Sequence, residues 1–250
     1  GSYTLIGMML GALIFSPLAD QYGRKKVLGF CIFLFSLFTA LAGLIDSPLL
    51  FTIMRFLAAL GMGGLMPNAI SLMTEYSPKK NRAVIVAAMY CGYSAGGVLA
   101  SLVGMFAVPG TSWRVLYLIG AVPLFVLPFF FSRFPESLSF YVLKKKTKAL
   151  AEILNQVHPA GRYREDDNYQ ISVIAKEKKG FPVKKLFGQK RAASTFAFWL
   201  SVFSCLLMVY GLNTWLPKMM QASGYGLSSS LSFNLALCCG QAAGAVFGGY

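Results

Sequence analysis

Seven apolar stretches alternate with polar connections along the chain, at about 1–19, 27–45, 49–74, 83–107, 114–132, 194–217 and 230–250. A helix of about 20 residues crosses the ~30 Å of hydrocarbon in a bilayer, and each stretch is about that long. Backbone groups in lipid must pair within their own segment, so the pattern predicts seven transmembrane helices. One long polar region, 133–193, separates the first five spans from the last two. Three regions follow: a first bundle over 1–132, a cytoplasmic linker over 133–193, and the start of a second bundle over 194–250.

Twenty of the 23 Lys and Arg residues lie on one side of this alternation: at 24–26, at 79–82, and between Arg133 and Arg191. Cytoplasmic loops collect Lys and Arg, so that side is expected to face the cytoplasm. Gly1 is then external, and Tyr250 and the 133–193 linker are cytoplasmic. The first span has no polar lead and the last ends in Gly248-Gly249-Tyr250, so the chain is expected to be cut at both ends.

Composition supports the lipid reading. The chain is 56% hydrophobic and 13% charged, more apolar than a soluble domain can bury. Its formal charge of +14 does not indicate nucleic acid, because the cations sit between apolar spans instead of on one folded face interleaved with aromatics. The bilayer is the expected partner and nucleic acid is not. The five cysteines, 31, 91, 205, 238 and 239, all fall in apolar stretches without zinc or disulfide spacing, and read as small core residues. No cleavable signal is visible before Asp20. The lone His158 beside Pro159 reads as a surface histidine, so no metal site is expected.

Within the linker, Leu150, Ile153, Leu154 and Val157 form the i, i+3, i+4, i+7 stripe of an amphipathic helix beside Lys144, Lys145, Lys146 and Lys148. It suits either an anionic inner leaflet or a solvated tether.

The turn between the first two spans reads Leu18-Ala19-Asp20-Gln21-Tyr22-Gly23-Arg24-Lys25-Lys26. Gly23 permits a conformation that side chains resist. Asp20 lies at a helix C-terminus, where the helix dipole opposes a carboxylate, so it needs an Arg or another helix's N-terminus. A cluster that only sets topology would explain the cations but neither Asp20 nor Gly23. Glu75 closes the third span in Glu75-Tyr76-Ser77-Pro78, before Arg82, and is placed to pair with Arg24. Arg55 lies inside the third span, where an Arg costs about 2.5–3.5 kcal/mol and so usually faces the bundle with a partner. Snorkelling to the outer surface is its alternative.

The first turn resembles the loop signature of the major facilitator superfamily, G-x-L-A-D-x-x-G-R-K, with Ser16 where the family has its first Gly and Gln21 where a basic residue is frequent. Arg55-Phe56-Leu57-Ala58-Ala59-Leu60-Gly61-Met62-Gly63-Gly64, with Glu75, resembles the aromatic acid:proton symporter branch, whose members carry benzoate, 4-hydroxybenzoate and muconate type acids. Pro135-Glu136-Ser137 resembles a signature shared by sugar and aromatic-acid branches. The resemblance implies an all-α polytopic membrane protein of major facilitator fold, covering helices two to eight of twelve. It also implies that Asp20, Gly23, Arg24, Glu75 and Arg82 form a cytoplasmic gate. The family's coupling Asp pair lies in the first helix, which would precede residue 1.

Small residues every fourth position, Gly92 and Gly96 in the fourth span and Gly240 and Gly244 in the seventh, would let helices pack closely. In the family these spans cross the interface of the two halves. Antiporters usually carry a Pro in the corresponding motif, and none falls between Gly92 and Gly104, which favours a symporter. Arg55 is expected to hold a substrate carboxylate or the coupling Asp, with Tyr90, Tyr210, Asn213 and Gln241 lining the cavity. For Asn234 and Gln241, seven apart on one face, interhelical hydrogen bonding is the alternative.

The resulting expectation is proton-coupled uptake of an aromatic or related organic acid at an inner membrane, by a monomer, with a proton gradient and no cofactor. A sugar or other organic-anion carrier of the same fold is the nearest alternative. A seven-span receptor would have no need of the Asp20 turn, and a membrane enzyme would need intramembrane carboxylates or histidines.

Overall fold

The seven apolar stretches are helical in the computed structural model, each long and apolar enough to cross a membrane. The structure describes residues 2–78, 80–107, 112–144, 146–157, 163–164, 167 and 192–249. The expectations for His158, for both chain ends and for most of the 133–193 linker lie outside them. The helices are α1 (Ser2–Tyr22), α2 (Arg24–Leu44), α3 (Pro48–Tyr76), α4 (Arg82–Ala107), α5 (Arg114–Ile119), α6 (Val122–Arg133), α7 (Leu138–Leu143), α8 (Thr147–Val157), α9 (Ala192–Ala222) and α10 (Leu227–Gly249). Much of their apolar surface is uncovered by protein: Phe125 is 83% exposed and Phe247 82%. Lipid is the medium in which such side chains are stable.

Helix α3 is the hub of the first bundle, packed on α1 and α2. Its glycines make this possible. A Cβ on Gly63 would run into the Met8 carbonyl of α1, and one on Gly61 would sit 2.7 Å from the Cys31 carbonyl of α2. Close approach of this kind replaces the hydrophobic drive that lipid removes. Pro67 interrupts the α3 ladder, and there the buried Asn68 amide donates to the Gly64 carbonyl at 2.8 Å.

The fifth span differs from the single expected helix, being divided at Gly120-Ala121 into α5 and α6. Pro123 cannot donate to Ile119, and the joint tightens into three i→i−3 bonds, from the amides of Gly120, Ala121 and Leu124. A Cβ on Gly120 would lie 2.6 Å from Thr39 Cγ2, so the joint presses on α2.

Between the two groups of spans, α4 packs along α10. The contact positions correct the expectation from glycine spacing. Gly92, Gly96, Gly240 and Gly244 all have open space where a Cβ would point. The seam instead runs through Cys91–Ala242, Gly97–Cys238, Ser101–Asn234 and Gly104–Leu231, an antiparallel register. Each residue turns a helix by about 100°, so Gly96 faces well away from its neighbour Gly97. Cys31 and Cys238 are buried as expected, but Cys205 and Cys239 are exposed on the apolar surface, not in a core.

Helix α8 bears out the amphipathic stripe and buries part of it. Leu150 and Ala151 are covered, and α8 packs on α7. The Asn155 side chain accepts from the Tyr163 amide at 2.8 Å and donates to its carbonyl at 2.9 Å. Protein, as well as any membrane surface or solvent, therefore covers this helix.

Candidate functional site: the charged turn and Arg55

Gly23 joins α1 to α2 in one residue. Its amide donates to the Ala19 carbonyl at 3.0 Å, closing α1, and its carbonyl accepts from Val27 at 3.2 Å, opening α2. Its φ of +103° is the region that favours glycine. A glycine has no side chain to cap α2, and Glu136 supplies the cap from 111 residues away: its carboxylate accepts from the Lys25 amide at 2.9 Å. The same oxygen accepts from the Ser137 amide at 3.0 Å, and the Tyr76 hydroxyl donates to the Glu136 carbonyl at 2.6 Å. Free amides and the positive end of the helix dipole make a helix N-terminus a good seat for this buried carboxylate.

Arg24 lies between two acids. One guanidinium nitrogen pairs with Asp20 at 3.2 Å and the other pairs with Glu75. Glu75 also accepts from Ser137 Oγ at 2.7 Å and Ser139 Oγ at 2.9 Å. The turn is thus a hub binding the end of α1, the starts of α2 and α7, and the end of α3. Tyr141 lies beside it, and burial together with Glu136 pushes its hydroxyl pKa up, so it stays neutral.

Asp20, Gly23, Arg24 and Glu75 come together as the sequence led us to expect, while Arg82 is exposed at the start of α4 and stands outside the cluster. The two acids differ in weight. Glu75 and Arg24 side chains are each 16% exposed, and Asp20 is 64% exposed. Glu75→Gln should therefore lower stability by about 1–3 kcal/mol. Asp20→Asn should stay within about 0.5 kcal/mol, the range of an exposed pair. Thermal unfolding of the purified carrier ranks the two, and an equal loss would remove the distinction. Glu136, Ser137 and Ser139 carry no sequence signal beyond the Pro-Glu-Ser run, because their roles depend on contacts across the fold.

At the opposite end of the bundle, Arg55 of α3 stacks over the Tyr117 ring, 5.5 Å from its centroid. Phe51, Trp113 and Tyr117 form an edge-to-face trio with centroids 5.5–6.0 Å apart, and Arg114 pairs with Asp46 beside it. Among the described residues no carboxylate pairs with Arg55. Tyr90 is exposed, and the Asn213 amide donates to the Val209 carbonyl of its own helix at 2.9 Å. No hydrogen bond or ion pair among the described residues joins Arg55 to Tyr90, Tyr210, Asn213 or Gln241, which stand on separate helices except for the pair on α9. A cavity of about 210 Å³ between α2, α3 and α6 is lined by apolar residues such as Phe35, Leu65 and Phe130, and offers no group for a carboxylate.

Seven membrane-length spans among the described residues, a glycine-packed bundle and a charged hub at the end of its first hairpin define a polytopic helical membrane protein of the transporter kind. The chain belongs to the Major Facilitator Superfamily, whose pattern matches residues 1–250. It is 42% identical to a benzoate transport protein of Acinetobacter baylyi, across 100% of this chain and 55% of that protein. To the 4-hydroxybenzoate transporter PcaK of the same organism it is 35% identical, over 90% of this chain and 50% of the relative. The chain spans about half the length of the curated relatives it matches. Among solved structures, the proton:xylose symporter XylE bound to 6-bromo-6-deoxy-D-glucose superposes with a TM-score of 0.75 at 16% identity, covering 98% of this chain and 57% of that one. At that identity the likeness shows the fold alone. The family and these relatives are transporters, not enzymes.

Proposed function

We propose that the carrier containing this chain takes up an aromatic carboxylate with a proton by alternating access across a cytoplasmic membrane, with the hub at Arg24 on the cytoplasmic face. The observation that carries this reading is the hub's construction. Four helix ends are held by the Arg24 ion pairs, hydroxyl donors and a capped helix start, polar contacts that can release together. The relatives' names supply the substrate class, since benzoate and 4-hydroxybenzoate are both aromatic acids. In this reading Asp20, Gly23, Arg24 and Glu75 gate the inner side, and Arg55 with the aromatic trio receives the substrate. A guanidinium binds a carboxylate at two points, and ring faces stack on an aromatic ring.

Uptake of radiolabelled benzoate into proteoliposomes bearing the whole carrier tests this. An inward proton gradient should speed uptake, and excess unlabelled 4-hydroxybenzoate should block it while xylose does not. Uptake indifferent to the gradient removes proton coupling. Competition by xylose instead of aromatic acids moves the protein to the sugar reading that Pro135-Glu136-Ser137 also fits.

A further inference from the structure

We infer that Asn234 is a positioning residue that sets how tightly α4 and α10 close on each other, an inference that rests on the proposed transport cycle only for its consequence on turnover. The spans hold three asparagines. Asn213 donates to the Val209 carbonyl of its own helix at 2.9 Å, and Asn68 to the Gly64 carbonyl of its own helix at 2.8 Å and to the Phe15 carbonyl of α1 at 3.4 Å. Asn234 donates across the seam to a side chain, Ser101 Oγ on α4, at 3.1 Å. Its carbonyl oxygen is buried and accepts no hydrogen bond from any described residue. Turning the amide over gives the oxygen to the Ser101 hydroxyl and leaves the NH₂ group unpaired instead, so one end of the carboxamide lacks a partner either way.

Ser101 is itself buried. The seam is close on both sides of the pair: a Cβ on Gly97 would lie 2.8 Å from Cys238 Sγ, and one on Gly104 3.1 Å from Leu231 Cδ1. A polar group held there gives up hydration without full replacement, and that loss opposes closure. A residue serving only as adhesive would be fully satisfied, or would be an apolar side chain filling the same space. Asn234 fixes the register through one hydrogen bond and weakens the contact through its unpaired end.

The sign of one substitution separates this from simple adhesion. Gly97→Cys in the whole carrier places a thiol against Cys238, and the rate of oxidative cross-linking in membranes reports how often the seam is closed. Adding Asn234→Leu should raise that rate about fivefold, and adding Ser101→Ala, which leaves the entire carboxamide unpaired, should lower it by a similar factor. With Gly97 intact, Asn234→Leu should reduce the maximal rate of benzoate uptake and leave the half-saturating concentration within about twofold. Slower cross-linking in Asn234→Leu makes the bond an adhesive and overturns the inference, as does an unchanged rate in both variants. Altered cross-linking with an unaltered uptake rate removes the link to turnover. If the parent carries no benzoate while the cross-linking shifts hold, the transport assignment fails and the role of Asn234 in the seam stands.

Discussion

Oxidation of a Gly97→Cys variant of the whole carrier should join α4 to α10 and stop nearly all uptake until a reductant is added. A Cβ at position 97 lies 3.7 Å from the Cβ of Cys238. Disulfides form with Cβ atoms about 3.5–4.5 Å apart, so little backbone movement is required. In an alternating-access carrier the contact between these helices must change as the cavity turns from one side of the membrane to the other, and a covalent bond forbids that. Cyanogen bromide cleavage at Met105, Met208, Met219 and Met220, which lie between the two thiols in sequence, should leave the fragments that carry them joined until reduction. The same variant with Cys238→Ser should transport and should not cross-link. Failure of the disulfide to form would contradict the packing of α4 on α10. A disulfide that leaves uptake intact would mean the seam need not open, and the proposed cycle would have to be abandoned.

The second large effect is expected where Glu136 meets Gly23. An Ala at 23 would have to adopt a φ of +103°, which costs about 1–3 kcal/mol for a residue with a side chain. Its Cβ would also lie 2.5 Å from Glu136 Oε2, so the carboxylate must leave the start of α2. Glu136→Ala should act from the other side, leaving the Lys25 and Ser137 amides unpaired at about 1–3 kcal/mol each. Glu136→Gln keeps an oxygen acceptor at the same reach and should cost less than half as much. Thermal unfolding and uptake of the three variants form the test. If Gln were as damaging as Ala, negative charge and not an acceptor would be what α2 requires. If Glu136→Ala were silent, the cap would contribute nothing and the hub would reduce to the Arg24 ion pairs.

Glu136 also marks the boundary between what is readable in the chain and what is not. The Arg24–Glu75 pairing is legible because each charge stands at a helix end, and a charge at the edge of a membrane has few places to find a partner. The same reasoning singles out Asp20 through its unfavourable position on the dipole, but cannot weigh it against Glu75, since burial by Ser137 and Ser139 depends on where the chain returns after six further helix ends. Glu136 appears in sequence only as part of a short run. Its partner is a backbone amide, and amides leave no mark on residue identity except the absence of a capping side chain at Gly23.

The number of spans, their approximate limits and the amphipathic helix at 147–157 follow from sequence alone, because lipid demands about 20 apolar residues per crossing and penalises every unpaired backbone group. The rotational setting of the helices does not. Spans such as α4 and α10 are apolar on nearly all sides, so no hydrophobic stripe points toward a neighbour, and glycines at fourfold spacing are equally plausible on any face. Only packing in three dimensions selects Gly97, Ser101 and Gly104 over Gly92 and Gly96, because the seam goes where two backbones can approach most closely and where Asn234 can reach a hydroxyl.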